Sequence, residues 1–131
     1  MESQLVNFKQ AIALKELGFP QDISQSTSYG EYDENGDFWG LDQYYGEISY
    51  AAPTLELAAK WLREEKQIYL HIRRLFSTSI IKHKDCYCFY YSTKDYDETL
   101  YVSEFDSYEQ ALSAGIDKAI EILNLSSKFT Y

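Results

Sequence analysis

The sequence predicts an α+β fold, two-layer, with a mainly antiparallel sheet packed against about three helices. Three observations carry this. Apolar residues recur at helical spacing in three separate stretches, strict alternation marks residues 67–74, and Asn35-Gly36 between two short aromatic runs marks a hairpin. The expected order is helix, hairpin, helix, three strands, helix. A chain of 131 residues fits a single domain, 1–131, large enough to bury roughly two thirds of its unfolded surface.

The first helix is expected over residues 3–17, where Leu5, Phe8 and Ile12 share a face and Val6, Ala13 and Leu17 flank it. Lys15 suits the negative end of the helix dipole, Gly18 can cap in the left-handed conformation, and Pro20 blocks continuation. Residues 21–53 form an acidic, aromatic hairpin and structured loop inside the domain. Its turn is Asn35-Gly36, between 29–33 and 37–39, in the type that wants positive φ at both central positions.

The second helix runs from Thr54, a candidate N-cap, to about Glu65, with Leu55, Ala58, Ala59 and Leu62 as its apolar stripe. Residues 67–74 alternate Ile68, Leu70 and Ile72 with Tyr69, His71 and Arg73, the pattern of a half-buried strand. Residues 86–92 and 100–105 read as two more strands, joined by a polar turn over 93–98. If Ile68, Leu70, Ile72, Leu100 and Val102 face the helices, then Tyr69, His71, Arg73 and Tyr101 face away. The strand 86–92 carries Tyr87, Phe89 and Tyr91 on one face and Tyr90 on the other. The last helix opens on a capping box, Ser107 with Gln110, and continues through Leu112, Ile116, Ala119, Ile120 and Leu123. Residues 126–131 are expected to fray.

Charge is unevenly distributed. Residues 16–59 hold nine acids and no Lys or Arg, while the other twelve acids are balanced by twelve bases, so the whole net charge of -9 comes from that window. The window also carries eight aromatics. Such a region attracts a basic partner because docking relieves its own repulsion. The acidic balance disfavours direct nucleic-acid binding, which needs Lys and Arg to displace counterions. No run approaches the roughly eighteen apolar residues of a membrane span, and residues 1–10 lack the pattern of a secretory signal. Cys86 and Cys88 are expected as reduced, buried thiols, because a bridge between strand positions i and i+2 is strained. A cytoplasmic location follows from these expectations.

Chemical motifs are weak. Glu31, Asp33, Asn35, Gly36 and Asp42 occupy places one, three, five, six and twelve of a calcium-loop pattern, with Phe38 at its apolar position. The pattern wants Asp first and Glu last, so an acidic hairpin tip is the better reading and no metal is assigned. Cys86-x-Cys88 with His71 and His83 lacks the two paired motifs of a zinc site. No phosphate loop, GxSxG or HExxH occurs. No catalytic residue and no cofactor is assigned, and the reading leans away from an enzyme.

Three helical segments together carry a resemblance: residues 14–19 (LKELGF), 52–64 (APTLELAAKWLRE) and 108–123 (YEQALSAGIDKAIEIL), about a quarter of the chain. They resemble a family of small uncharacterised proteins of Bacteroidetes genomes and their prophages or mobile elements. The resemblance implies a free-standing cytoplasmic protein, encoded by a phage or mobile element, and carries no site residues because the family has no established activity.

The leading expectation is a non-enzymatic protein-interaction module. Binding is expected at Asp33, Glu34, Asp37, Trp39, Asp42, Tyr44 and Tyr45. A homodimer or partner interface is expected on the aromatic sheet face at Tyr69, His71, Tyr87, Phe89, Tyr91 and Tyr101, since large exposed aromatic patches mark interfaces. One special case is an acidic DNA mimic that blocks a host nucleic-acid-binding protein. The alternative class is a glycan or nucleotide binder that stacks its ligand on the aromatic loop 38–50.

Overall fold

A computed structural model describes residues 4–21, 30–39, 48–76, 85–93 and 96–128, without the side chains of 75, 76, 85, 96–104 and 125–128. The fold is α+β. Three helices and six strands follow the order α1 (Phe8–Glu16), β1 (Glu31–Asp33), β2 (Phe38–Trp39), β3 (Ser49–Ala51), α2 (Leu55–Lys66), β4 (Tyr69–Phe76), β5 (Asp85–Thr93), β6 (Tyr96–Phe105) and α3 (Tyr108–Lys128). Every strand pairing is antiparallel, but the strands form two three-stranded sheets, β2-β1-β3 and β4-β5-β6. The chain divides into two compact units, Met1–Trp61 and Leu62–Tyr131.

In the first unit α1 starts five residues later than its periodicity predicts. Asn7 caps it: its side chain accepts from the Gln10 amide at 2.7 Å, and Gln10 Oε1 accepts from the Asn7 amide at 3.0 Å. Residues before the cap are extended instead. Val6 N–H donates to Pro53 O and Leu55 N–H to Gln4 O, so the backbone there pairs with the entry to α2. The helix consequently buries Gln10, Ala11 and Leu14 rather than the Ile12 face. Gly18, with φ 102, ends it.

The hairpin gains a third strand that the sequence pattern does not announce, because β3 is three residues long. β1 pairs Tyr32 with Tyr50 on that side and with Phe38 on the other. Lys15 Nζ donates to Ser49 O at 2.9 Å and lies 4.8 Å from the Tyr50 ring centre, tying α1 to β3. Val6, Ala11, Leu14, Phe19, Ala51, Ala52, Leu55 and Ala58 are buried in this unit. Trp61 meets Phe19 edge to face at 5.3 Å.

Helix α2 has the expected N-cap, with Thr54 Oγ1 accepting from the Leu57 amide at 3.2 Å. Past its C-terminus Gln67 takes φ 56, the left-handed conformation that lets the chain turn into β4.

In the second unit α3 packs on the sheet β4-β5-β6. Gly115 marks the close approach: a Cβ there would lie 3.4 Å from both δ-methyls of Leu70 and 3.6 Å from a Phe89 ring carbon. The polar turn expected over 93–98 is shorter than that. Thr93 pairs with Tyr96, so 96–98 belong to β6. The capping box of α3 is half formed. Ser107 Oγ accepts from the Gln110 amide, whereas Gln110 Oε1 accepts from the Asp106 amide, one residue beyond the cap. The helix runs on to Lys128, past the point where fraying was expected, which leaves 129–131 outside the described residues. Ile68, Leu112, Ile116 and Ala119 are buried, as the alternating and helical patterns predict, and Phe89 and Ala111 are buried with them. No helix among the described residues is long and apolar enough to cross a membrane.

Candidate interaction surfaces

The acidic hairpin is organised by one carboxylate. Asp33 Oδ1 accepts from the backbone amides of Asn35 and Asp37, each at 2.9 Å, and Oδ2 accepts from the Trp39 indole N–H at 3.1 Å. Asp33 N–H donates to Asp37 O and Gly36 N–H to Asp33 O, closing a three-residue loop. Gly36 has φ 88 while Asn35 does not enter the positive region. The loop is therefore a type I turn followed by a left-handed glycine, not the turn with two positive φ values that Asn-Gly predicts. Asp33 explains the change, since Asp at the first turn position binds the amides two and four residues on.

This arrangement corrects the role of Asp33. Its side chain is buried, and the Trp39 indole, followed by the backbone amides, holds its carboxyl below the ordinary value of 3.8 against the opposing effect of burial. It is a positioning residue and not a contact surface. The same bonds occupy the third place of the calcium-loop pattern. Asp42, in the twelfth place, lies outside the described residues, as do Tyr44 and Tyr45. Among the described residues no group of three or more metal-ligating side chains occurs.

Beneath the hairpin lies a ring cluster. Phe8 meets Tyr32 at 5.6 Å and Tyr50 at 5.7 Å, and Tyr32 meets Phe38 at 5.5 Å. Tyr32 Oη donates to Val6 O at 2.8 Å, and burial raises its phenol pKa. The hairpin is thus held from below by rings and from within by Asp33. Glu34 and Asp37 are exposed; Trp39, 37% exposed, lies on the face of Asp33, while Phe38, 47% exposed, lies on the opposite face with Tyr32. Phe38 and Trp39 form β2, an edge strand of its sheet, with Asp37 just before it and Glu34 in the turn.

The expected sheet interface divides between two faces. β4 pairs Leu70 with Tyr91, Ile72 with Phe89 and Arg74 with Tyr87, so Tyr87, Phe89 and Tyr91 share the face that carries Leu70 and meets α3. Phe89 is 1% exposed and is core, not interface. A ring of that size opposite a glycine on the covering helix is where a two-layer core needs bulk. Tyr101 pairs with Phe89 in the backbone ladder, and its side chain lies outside the described set. Leu100 and Val102 are outside it likewise.

Tyr69 and His71 remain on the outer face, both exposed, and Arg73 joins them. Arg73 lies over the Tyr90 ring, its guanidinium carbon 4.9 Å from the ring centre and Nη1 3.4 Å from Tyr90 Oη. Arg73 and Tyr90 are the members that residue selection from the sequence missed. The signal was present, since the alternation puts Arg73 outward and the opposite parity of β5 puts Tyr90 outward. Cys86 and Cys88 lie on this same face of β5, yet both are buried, unbridged thiols. Burial raises the Cys88 thiol pKa, only partly offset by the Arg73 charge, which suits inert thiols and not a nucleophile.

Comparison with family models, with curated proteins and with solved structures returns no match to this chain.

Proposed function

We propose that this chain is a non-enzymatic interaction module whose acidic hairpin docks a basic partner. One observation supports the reading above the others. Asp33 turns its charge inward to build the hairpin, and Glu34, Asp37 and Trp39 stay exposed around it on a braced frame. A preorganised surface of one indole ring and two carboxylates favours Arg, which stacks on rings and pairs with carboxylates at once. The cytoplasmic and mobile-element setting belongs to this reading; the mobile-element part rests on the sequence resemblance alone.

The test is titration with an Arg-rich peptide, read by Trp39 emission in a Trp61→Phe background. Trp61, which packs on Phe19, is the other tryptophan of the chain, so its removal isolates the Trp39 signal. Saturable binding is expected, weakened several-fold by Glu34→Gln with Asp37→Asn. Equal binding by the neutralised variant would overturn the proposal.

A further inference from the structure

The geometry points to the outer face of β4 and β5, Tyr69, His71, Arg73 and Tyr90, as the docking surface for the acidic hairpin of a second copy of this chain. The inference rests on the hairpin being a docking element and names its partner.

The two surfaces are complementary in charge and in shape of side chain. The hairpin offers Glu34 and Asp37 with the exposed ring of Trp39. The β4 face offers Arg73 and His71 with Tyr69, which is 47% exposed. Within a chain of net charge -9 an exposed Arg beside an exposed Tyr stands apart from the acidic hairpin. Arg73 is also held in place: over Tyr90 and donating to its hydroxyl, the exposed guanidinium has less rotamer freedom to lose on docking. An acidic segment is the natural occupant, and the hairpin is the acidic exposed segment whose geometry is known. A nucleic acid would also meet Arg and rings, but its phosphates would be repelled by the molecule's net charge. Between copies, long-range repulsion falls off over roughly 8 Å at physiological salt, so pairing at contact distance can prevail.

Because hairpin and β4 face are different surfaces, the contact is heterologous and either closes reciprocally or propagates. Sedimentation velocity over a concentration series reads both outcomes. Wild type is expected to self-associate. Arg73→Glu alone and Glu34→Lys with Asp37→Lys alone should each weaken association by about tenfold or more, with circular dichroism unchanged. Mixing the two variants should restore it, since each then meets a partner of opposite sign. A monomeric wild type, undiminished association in Arg73→Glu, or a mixture that stays apart would each overturn the inference. The Arg-rich peptide titration on the same samples separates this failure from failure of the docking reading: a monomer that still binds the peptide loses its partner, not its site.

Discussion

Asp33 shows how one side chain can set a surface without belonging to it. It accepts three hydrogen bonds, and the one from the Trp39 indole is the first cause of its lowered pKa. Because the folded value lies below the unfolded one, the stabilisation is fully present above the unfolded value, about 3.9 in model peptides, and is lost as pH falls through the lower folded value. Asp33→Asn keeps an oxygen for the two amides but sets an amide N–H against the indole N–H. In the Trp61→Phe background this variant is expected to show, at neutral pH, the Trp39 emission that the unsubstituted chain reaches only on acidification below its ordinary carboxyl range. An unchanged spectrum would show that the indole bond does not hold Trp39 in place. Gln67 carries the opposite kind of local constraint. A non-glycine residue in the left-handed region costs roughly 1 kcal/mol, so Gln67→Gly is expected to raise stability by about 0.5–1 kcal/mol, seen as a higher denaturant midpoint at constant slope.

Two glycines separate what an element tolerates from what it forbids. At Gly115, in the interior of α3, an added methyl would just touch Leu70 and Phe89, at 3.4 and 3.6 Å. Gly115→Ala should therefore recover helix propensity of up to about 1 kcal/mol, measurable as a raised melting temperature. At Gly30, preceding β1, a Cβ would stand 2.6 Å from the Phe38 ring and 2.8 Å from the Trp39 carbonyl oxygen. A ring can swing away but a ladder carbonyl cannot, so Gly30→Ala is expected to part β2 from β1. Loss of the Trp39 emission signature and of Arg-rich peptide binding, with the α3 unit still folded, would be the result; retained binding would contradict it. The capping residues of α2 and the stripe of α3 were legible in the sequence because they depend on neighbours one to four residues away. The late start of α1 was not, because residues 4–6 give their hydrogen bonds to residues 53–55, across nearly fifty residues of chain.

For the whole molecule, charge is the dominant sequence-level property. A net charge of -9 with nine uncompensated acids in one window makes the folded chain repel itself. Raising ionic strength from about 0.01 M to about 0.15 M shortens the screening length from roughly 30 Å to roughly 8 Å, and the melting temperature is expected to rise with it. A flat response would mean the acids are compensated locally in the fold. Both tryptophans, Trp39 and Trp61, lie in the unit Met1–Trp61. Fluorescence therefore follows that unit while circular dichroism follows both, and the two probes together report which unit the salt stabilises.

By itself the sequence determined the α+β class, the caps of α2 and α3, the alternation of β4 and the concentration of negative charge, all consequences of local chemistry and short-range periodicity. Which carboxylate points inward, which rings of β5 meet α3 and which strands share a sheet were decided only in three dimensions. These depend on register and on partners distant in the chain. Asp33 and Asp37 are both acids in one turn, yet the indole of Trp39 makes the first a structural anchor and leaves the second to the surface.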